Sequence, residues 1–212
     1  MDQEHNLKKT RRLNLILSTL RDINKLIVTR KSKHELIKGI CNILVEKREY
    51  FNAWIGLLDD SQELIMTAQA GLGEKFNLIR SRIEEKEFTR CIRQTIESPE
   101  VFHVVDPVVE CSDCILAENY FGRGAMAVRL AHNDNNYGFL VLSMSKELSL
   151  DETEKTIVKE IADDVAFGLY RFELEKSQKE AQTDTLTNLI NRRGLETKME
   201  LERIRAKQNS SP

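Results

Sequence analysis

Cys111 and Cys114 form the most compact set of reactive side chains in the sequence. Two thiolates spaced C-x-x-C can share one metal ion or close a redox disulfide. A tetrahedral metal site needs four ligands, and this pair supplies two. Cys91, His103 and His132 are available to complete it, although no spacing singles them out. A structural pair with no chemistry is the third reading. Downstream, Tyr120 and Phe121 offer aromatic caps for an apolar pocket. Arg123, between Gly122 and Gly124, offers a cation for an anionic group where the glycines let the backbone come close. The same glycines also suit a plain turn into a strand, with Arg123 in a structural ion pair. The candidate ligand-binding residues are thus Cys111, Cys114, Tyr120, Phe121 and Arg123, and the candidate metal ligands are Cys111 and Cys114. Trp54 reads as core rather than ligand platform, with Gly56 marking a close approach by another element. His34 reads as a surface residue and His103 as solvent-facing on its strand. No catalytic set is expected, because the sequence lacks a Gly-rich phosphate loop, an H-x-x-x-H helix and a G-x-S-x-G elbow.

The elements that must position these residues follow from periodicity. Residues 6–30 read as a helix whose Leu13, Leu17, Leu20, Asn24 and Ile27 fall at alternating steps of four and three. That is a short heptad seam, and its Asn can fix register between two copies. Packing on its own domain is the other reading of the same stripe. Ser32-x-x-Glu35 is a capping box that opens a second helix through Leu36, Ile40 and Leu44. The period then changes to short apolar segments at 53–58, 63–70, 100–105, 124–130 and 137–143, each bounded by turn residues. The run His132–Asn136 predicts a hairpin between the last two. Residues 84–98 read as a helix with Phe88, Ile92 and Ile96 on one face. A final helix is expected from a capping box at Ser149-x-x-Glu152 to about Gln182, with Val158, Ile161, Val165, Gly168 and Phe172 on one stripe. The order predicts an α+β fold in which a central antiparallel sheet is covered by helices, with long N- and C-terminal helices.

Composition narrows the functional classes. The 212 residues are 41% hydrophobic and 31% charged with a net charge of −2, which suits a globular protein of one domain with helical extensions, or two very small domains. No field of one sign is available for nucleic acid or an anionic membrane, and Lys8, Lys9, Arg11 and Arg12 read as a solvated helix end. No apolar run is long enough to cross a bilayer, and the first residues are not a secretory signal, so a cytoplasmic location is expected. The cysteines are too few for a disulfide scaffold.

Two segments resemble known families. The run Thr183-Asp184-Thr185-Leu186-Thr187-Asn188-Leu189-Ile190-Asn191-Arg192-Arg193 resembles the entry segment of GGDEF domains, which condense two GTP into cyclic di-GMP. The match covers 183 to about 205, and Asn188 stands where that family usually has Gly. The sequence ends at Pro212, so the signature loop and metal carboxylates are not expected here, and the chain reads as the regulatory part rather than an enzyme. Upstream, residues 32–170 resemble a GAF domain, most clearly through Cys111–Ala125 (C-S-D-C-I-L, then Y-F-G-R-G-A) and Tyr137-Gly138-Phe139-Leu140. Ile115 replaces the usual Pro of that pattern. The resemblance implies a GAF/PAS-like fold, a small-molecule pocket beneath the segment containing Tyr120, Phe121 and Arg123, and a sensory role. The expected organisation is 1–31 N-terminal helix and possible dimer seam, 32–170 GAF domain, 171–182 helical linker, and 183–212 truncated GGDEF entry. The expected partners are an unknown small-molecule signal and a second copy through the N- and C-terminal helices. A scaffold with no ligand is an alternative. A GAF-type free methionine sulfoxide reductase using Cys91, Cys111 and Cys114 is another.

Overall fold

Five strands form one antiparallel sheet in the order β2-β1-β5-β4-β3. The structure is a computed structural model; it describes residues 2–182, 187 and 189–209. In chain order the elements are α1 (Asp2–Thr29), α2 (Lys33–Arg48), β1 (Asn52–Leu58), β2 (Leu64–Ala70), α3 (Lys75–Glu84), α4 (Arg90–Glu97) and β3 (Phe102–Val104). Then come α5 (Pro107–Glu110), a 3-10 turn at Ala117–Tyr120, β4 (Arg123–His132), β5 (Asn135–Ser145), α6 (Lys146–Ser149), α7 (Glu152–Gln182) and α8 (Arg192–Asn209). All five expected strands are present, so the α+β expectation holds. The chain divides into two compact units, Met1–Leu169 and Tyr170–Pro212.

The β4–β5 hairpin is tighter than its Asn-rich run implies. His132 pairs with Asn135, and Asn133 takes φ 53 to close the turn. Asn tolerates that left-handed geometry, which lets both strands run almost to the turn. At the sheet centre Trp54 pairs with Val141, and Gly56 pairs with Phe139. A Cβ on Gly56 would lie 2.5 Å from the Phe139 ring, which is the close approach the glycine permits. Strand alternation sends Trp54, Gly56 and Leu58 to one face and Ala53, Ile55 and Leu57 to the other. The first face carries an apolar cluster with Phe76, Ile79 and Ile83 of α3 and Ile92 of α4. The second is covered by α2, which packs on β1 and β2.

Two helical expectations need correction. The apolar stretch 84–98 is not one helix: α3 ends at Glu84, Lys86 turns the chain at φ 63, and α4 begins only after the extended Thr89. Phe88, Ile92 and Ile96 still share the sheet-facing side. Nor does Ser149 open the long helix. It closes α6, donating its hydroxyl to the Lys146 carbonyl at 2.8 Å. The helix start is held by Asp151, whose Oδ1 accepts from the Thr153 and Glu154 amides at 2.8 and 3.1 Å. A carboxylate suits the positive end of the helix. Ser32 does cap α2, accepting from the Glu35 amide at 3.2 Å.

α1, α2 and α7 pack against one another. Gly168 brings α7 so near that an added Cβ would meet Ile27 at 3.0 Å and Leu36 at 3.1 Å, and Gly39 of α2 does the same with Leu26. α1 therefore buries Thr19, Ile23 and Ile27 inside its own domain. The proposed heptad stripe is split: Ile27 is internal, whereas Leu13 and Leu17 are 54% and 56% exposed. In the second unit, Asn191 holds the start of α8: its Oδ1 accepts from the Gly194 amide at 2.9 Å. Asp184 lies outside the described residues. Among the described residues, no helix is long and apolar enough to cross a membrane.

Candidate functional site

The side of the sheet opposite α2 holds a cavity of about 30 Å³. Its floor is the sheet: Trp54 of β1, Val141 of β5, Ala125 of β4 and Val104 of β3. Its walls are Ile79 of α3, Cys91 of α4 and Pro107 of α5. Cys111, Cys114, Leu116 and Tyr120 close it from the segment between α5 and β4. Trp54 is anchored edge-on by Phe76 and Phe139, with ring centroids at 5.7 and 5.2 Å, so it is both core and cavity floor.

The covering segment is clamped to the helices beside it. Asp113, within the C-x-x-C turn, accepts from the Arg90 amide at 3.1 Å and pairs with the Arg93 guanidinium at 2.9 Å. It therefore caps α4 in place of Thr89, whose side chain makes no capping bond. Arg82 of α3 donates to the Asp113 carbonyl, and Arg90 to the Glu110 carbonyl. Glu110 in turn accepts from the Val105 and Asp106 amides at 2.9 Å each, which fixes the start of α5.

The sequence candidates separate at this point. Cys111, Cys114 and Tyr120 line the cavity, and Cys91 joins them. Phe121 does not: the chain leaves the 3-10 turn extended at φ −53, ψ 127, Gly122 follows at φ +71, and the ring stands 86% exposed. Arg123 is also outside the cavity lining, and among the described residues it makes no ion pair. Its guanidinium stacks on Phe51, 4.0 Å from the ring centroid. Gly124 is required by packing, since a Cβ there would meet Ser149 Oγ at 2.0 Å. His103 is half-buried on the other face, in an open groove with Glu152, Lys155 and Lys159. His132 lies at the hairpin end with its ring 5.4 Å from Phe167. Neither histidine reaches the cysteines' cavity. Among the described residues, no group of three His, Cys, Asp or Glu side chains is placed to hold a metal ion.

The thiols are held protonated. Burial pushes Cys111 up to about 12, with Cys91 and Cys114 adding to the effect. Burial also pushes Cys91 up to about 11, against a contact with the Thr89 hydroxyl at 3.2 Å, and raises Cys114. Such thiols are poor nucleophiles and poor metal ligands as they stand. The Tyr120 hydroxyl, also shifted upward by burial, donates to Asn52 Oδ1 at 3.3 Å.

Asn52 opens β1, two residues after Tyr50, and Tyr50 leads to a charged centre that sequence inspection missed. Glu154 of α7 is fully buried, and its Oε1 accepts from both the Tyr50 hydroxyl and the Arg48 guanidinium. Arg12 of α1 reaches Glu154 Oε2 at 3.2 Å and Asp151 at 2.6 Å. Arg48 Nε has no hydrogen-bond partner among the described residues. The basic residues at the chain start are thus not all a solvated end: Arg12 ties α1 to the start of α7. The only local signal was Glu154 itself, a charge on the apolar side of α7. Two hydrogen bonds, Tyr120 to Asn52 at the cavity and Tyr50 to Glu154 at α7, are joined through the chain at residues 50–52.

Solved structures share this architecture. The GAF domain of a phosphoenolpyruvate-protein phosphotransferase from Coxiella burnetii aligns with TM-score 0.59 at 17% identity, over 76% of this chain and 96% of that one. The corresponding Acinetobacter domain gives TM-score 0.57 at 14% identity, over 74% and 94%. The fold is that of GAF domains. A free methionine-R-sulfoxide reductase from Neisseria meningitidis, solved with its substrate, aligns with TM-score 0.55 at 17% identity, over 76% and 91%. No family model and no curated protein matches the sequence. Within this GAF fold, the cavity and its covering segment lie on the sheet face opposite α2, and Glu154 marks where α7 begins.

Proposed function

We propose that the chain is a cytoplasmic sensory module in which a small molecule occupies the cavity beneath Cys111–Tyr120 and α7 carries the response to an output domain. Residues 32–170 are the sensory domain, 1–31 an accessory helix, 171–182 a linker, and 183–212 the entry of a GGDEF diguanylate cyclase, the last resting on the sequence resemblance alone. The observation that carries the reading is that the same short stretch of chain, residues 50–52, is hydrogen-bonded at one end to Tyr120 of the cavity wall, through Asn52, and at the other to buried Glu154 at the head of α7, through Tyr50. A ligand that moves Tyr120 favours one placement of α7 over another; a difference of about 1.4 kcal/mol in affinity between the two shifts them tenfold. The exposed Leu13 and Leu17 of α1, with Phe167 and Leu174 of α7, give two copies apolar surface to share.

The test is the separation of nitroxide labels at position 174 (Leu174→Cys) between two copies of the chain, measured by pulsed electron resonance. Filling the cavity by Ala125→Leu, or removing the Tyr120–Asn52 hydrogen bond by Tyr120→Phe, is expected to move the distance distribution. A monomeric chain, or a distribution that neither substitution moves, ends this reading. The convergence of Cys91, Cys111 and Cys114 favours one second reading, reduction of free methionine sulfoxide to methionine, with two thiols closing a disulfide and water released. Incubation with methionine sulfoxide and a thiol reductant, followed by methionine assay, decides it; the upward-shifted thiols weigh against turnover.

A further inference from the structure

The cavity also selects the kind of molecule it takes. Among the described residues no charged side chain lines it, and its walls are aliphatic, aromatic or thiol. The strong donors in the wall are the Trp54 indole N–H and the Tyr120 hydroxyl, and the second is already committed to Asn52. An ion placed there would lose its hydration with no charged partner to replace it. At about 30 Å³ the space suits a water or a molecule slightly larger. Water itself wants two or more polar partners, and thiols are weak ones.

One polar atom nearby is unspent. Ser143 is 1% exposed, and its Oγ has no hydrogen-bond partner among the described residues. It pairs in register with Ala125 of the cavity floor on one side and with Asn52 on the other. Strand alternation puts it on the same face as Val141, two residues earlier. A buried hydroxyl left without a partner is costly, so it marks a place where an acceptor is welcome.

We propose that the cavity binds an uncharged molecule of two or three heavy atoms, with an apolar body and at most one hydrogen-bonding group met by Ser143. This rests on the sensory reading for its purpose, but it is tested separately. Anionic signals such as nucleotides are excluded from the site, because Arg123, the one candidate cation, is stacked on Phe51 outside it.

The experiment is methyl and amide NMR of the full chain with two probes, xenon and methanol. Xenon is expected to give saturable shifts at the methyls of Val104, Leu116, Ala125 and Val141. Ala125→Leu, or the milder Ala125→Val if the larger side chain disturbs folding, is expected to abolish them. Methanol is expected to saturate at the same methyls and to weaken severalfold in Ser143→Ala, while xenon binding there is unchanged. Absence of saturable xenon shifts in the unsubstituted chain overturns the proposal. So does saturable binding of cyclic GMP at those methyls, or methanol binding indifferent to Ser143→Ala. If cyclic GMP binds and also moves the label at position 174, the ligand class fails and the sensory reading stands. If xenon binds while the label distances ignore cavity filling, the sensory reading fails and the ligand class stands.

Discussion

Removing the carboxylate of Glu154 should be among the most damaging single changes in the chain. The Arg48 side chain is 3% exposed and loses its counter-charge, while its Nε already lacks a partner among the described residues. The buried Tyr50 hydroxyl loses its acceptor at the same time. Breaking a buried ion pair on one side costs about 3–5 kcal/mol, because the partner charge stays behind. At about 2–4 °C per kcal/mol for a domain of this size, Glu154→Leu should lower Tm by about 6–20 °C. Arg12 contributes little to that loss, being 40% exposed and still paired with Asp151. Removing all the buried polar partners together, as in Glu154→Leu with Arg48→Met and Tyr50→Phe, leaves nothing orphaned and should restore most of the lost stability. Calorimetry and urea unfolding of the single and triple variants measure both numbers. A single variant within about 1 kcal/mol of the parent, or a triple variant no better than the single, would falsify the account of Glu154 as a buried charge centre.

Gly138 stands at φ +132 with the Gly56 carbonyl 2.0 Å from where a Cβ would sit, so Gly138→Ala should cost about 3 kcal/mol, read from urea midpoints; a neutral effect would mean β1 and β5 can separate freely. Alkylation at pH 8 by iodoacetamide should be about a thousandfold slower at Cys111 than at a thiol of ordinary pKa 9.0, and Asp113→Asn should speed it by loosening the covering segment; peptide mass spectrometry gives the rates. Because the folded state holds that proton more tightly than the unfolded chain, its stabilising effect is complete below pH 9.0 and lost as pH rises toward 12, so stability should fall across this window less steeply in Cys111→Ser. Asp151 behaves oppositely: its hydrogen bond from Arg12 lowers its pKa below the ordinary 3.8. Its contribution is present above 3.8 and lost as the pH falls through the lower folded value, so Asp151→Asn should flatten the acid limb of the stability profile.

The sequence by itself determined the strands, the Ser32 cap of α2, the long run of α7 and the position of the C-x-x-C turn just before Tyr120. Each is written in neighbouring residues: alternation of apolar side chains, a hydroxyl three residues before an acid, an uninterrupted helical stripe, turn-forming Asn and Gly. Where two local signals competed, the reading went astray. Ser149 and Asp151 both look like caps, and only the end of α6 decides between them. The apolar face of 84–98 continues across the Lys86 turn, so periodicity alone could not reveal the break. Tertiary structure decided the rest. Cys91 reaches Cys111 and Cys114 because α4 crosses the sheet beside the covering segment, whereas Phe121, adjacent to Tyr120, faces away. Arg12 and Glu154 meet although 142 residues separate them. Whether a residue is buried, paired or exposed depends on which distant segments share its space, and packing sets that through contacts no local pattern encodes.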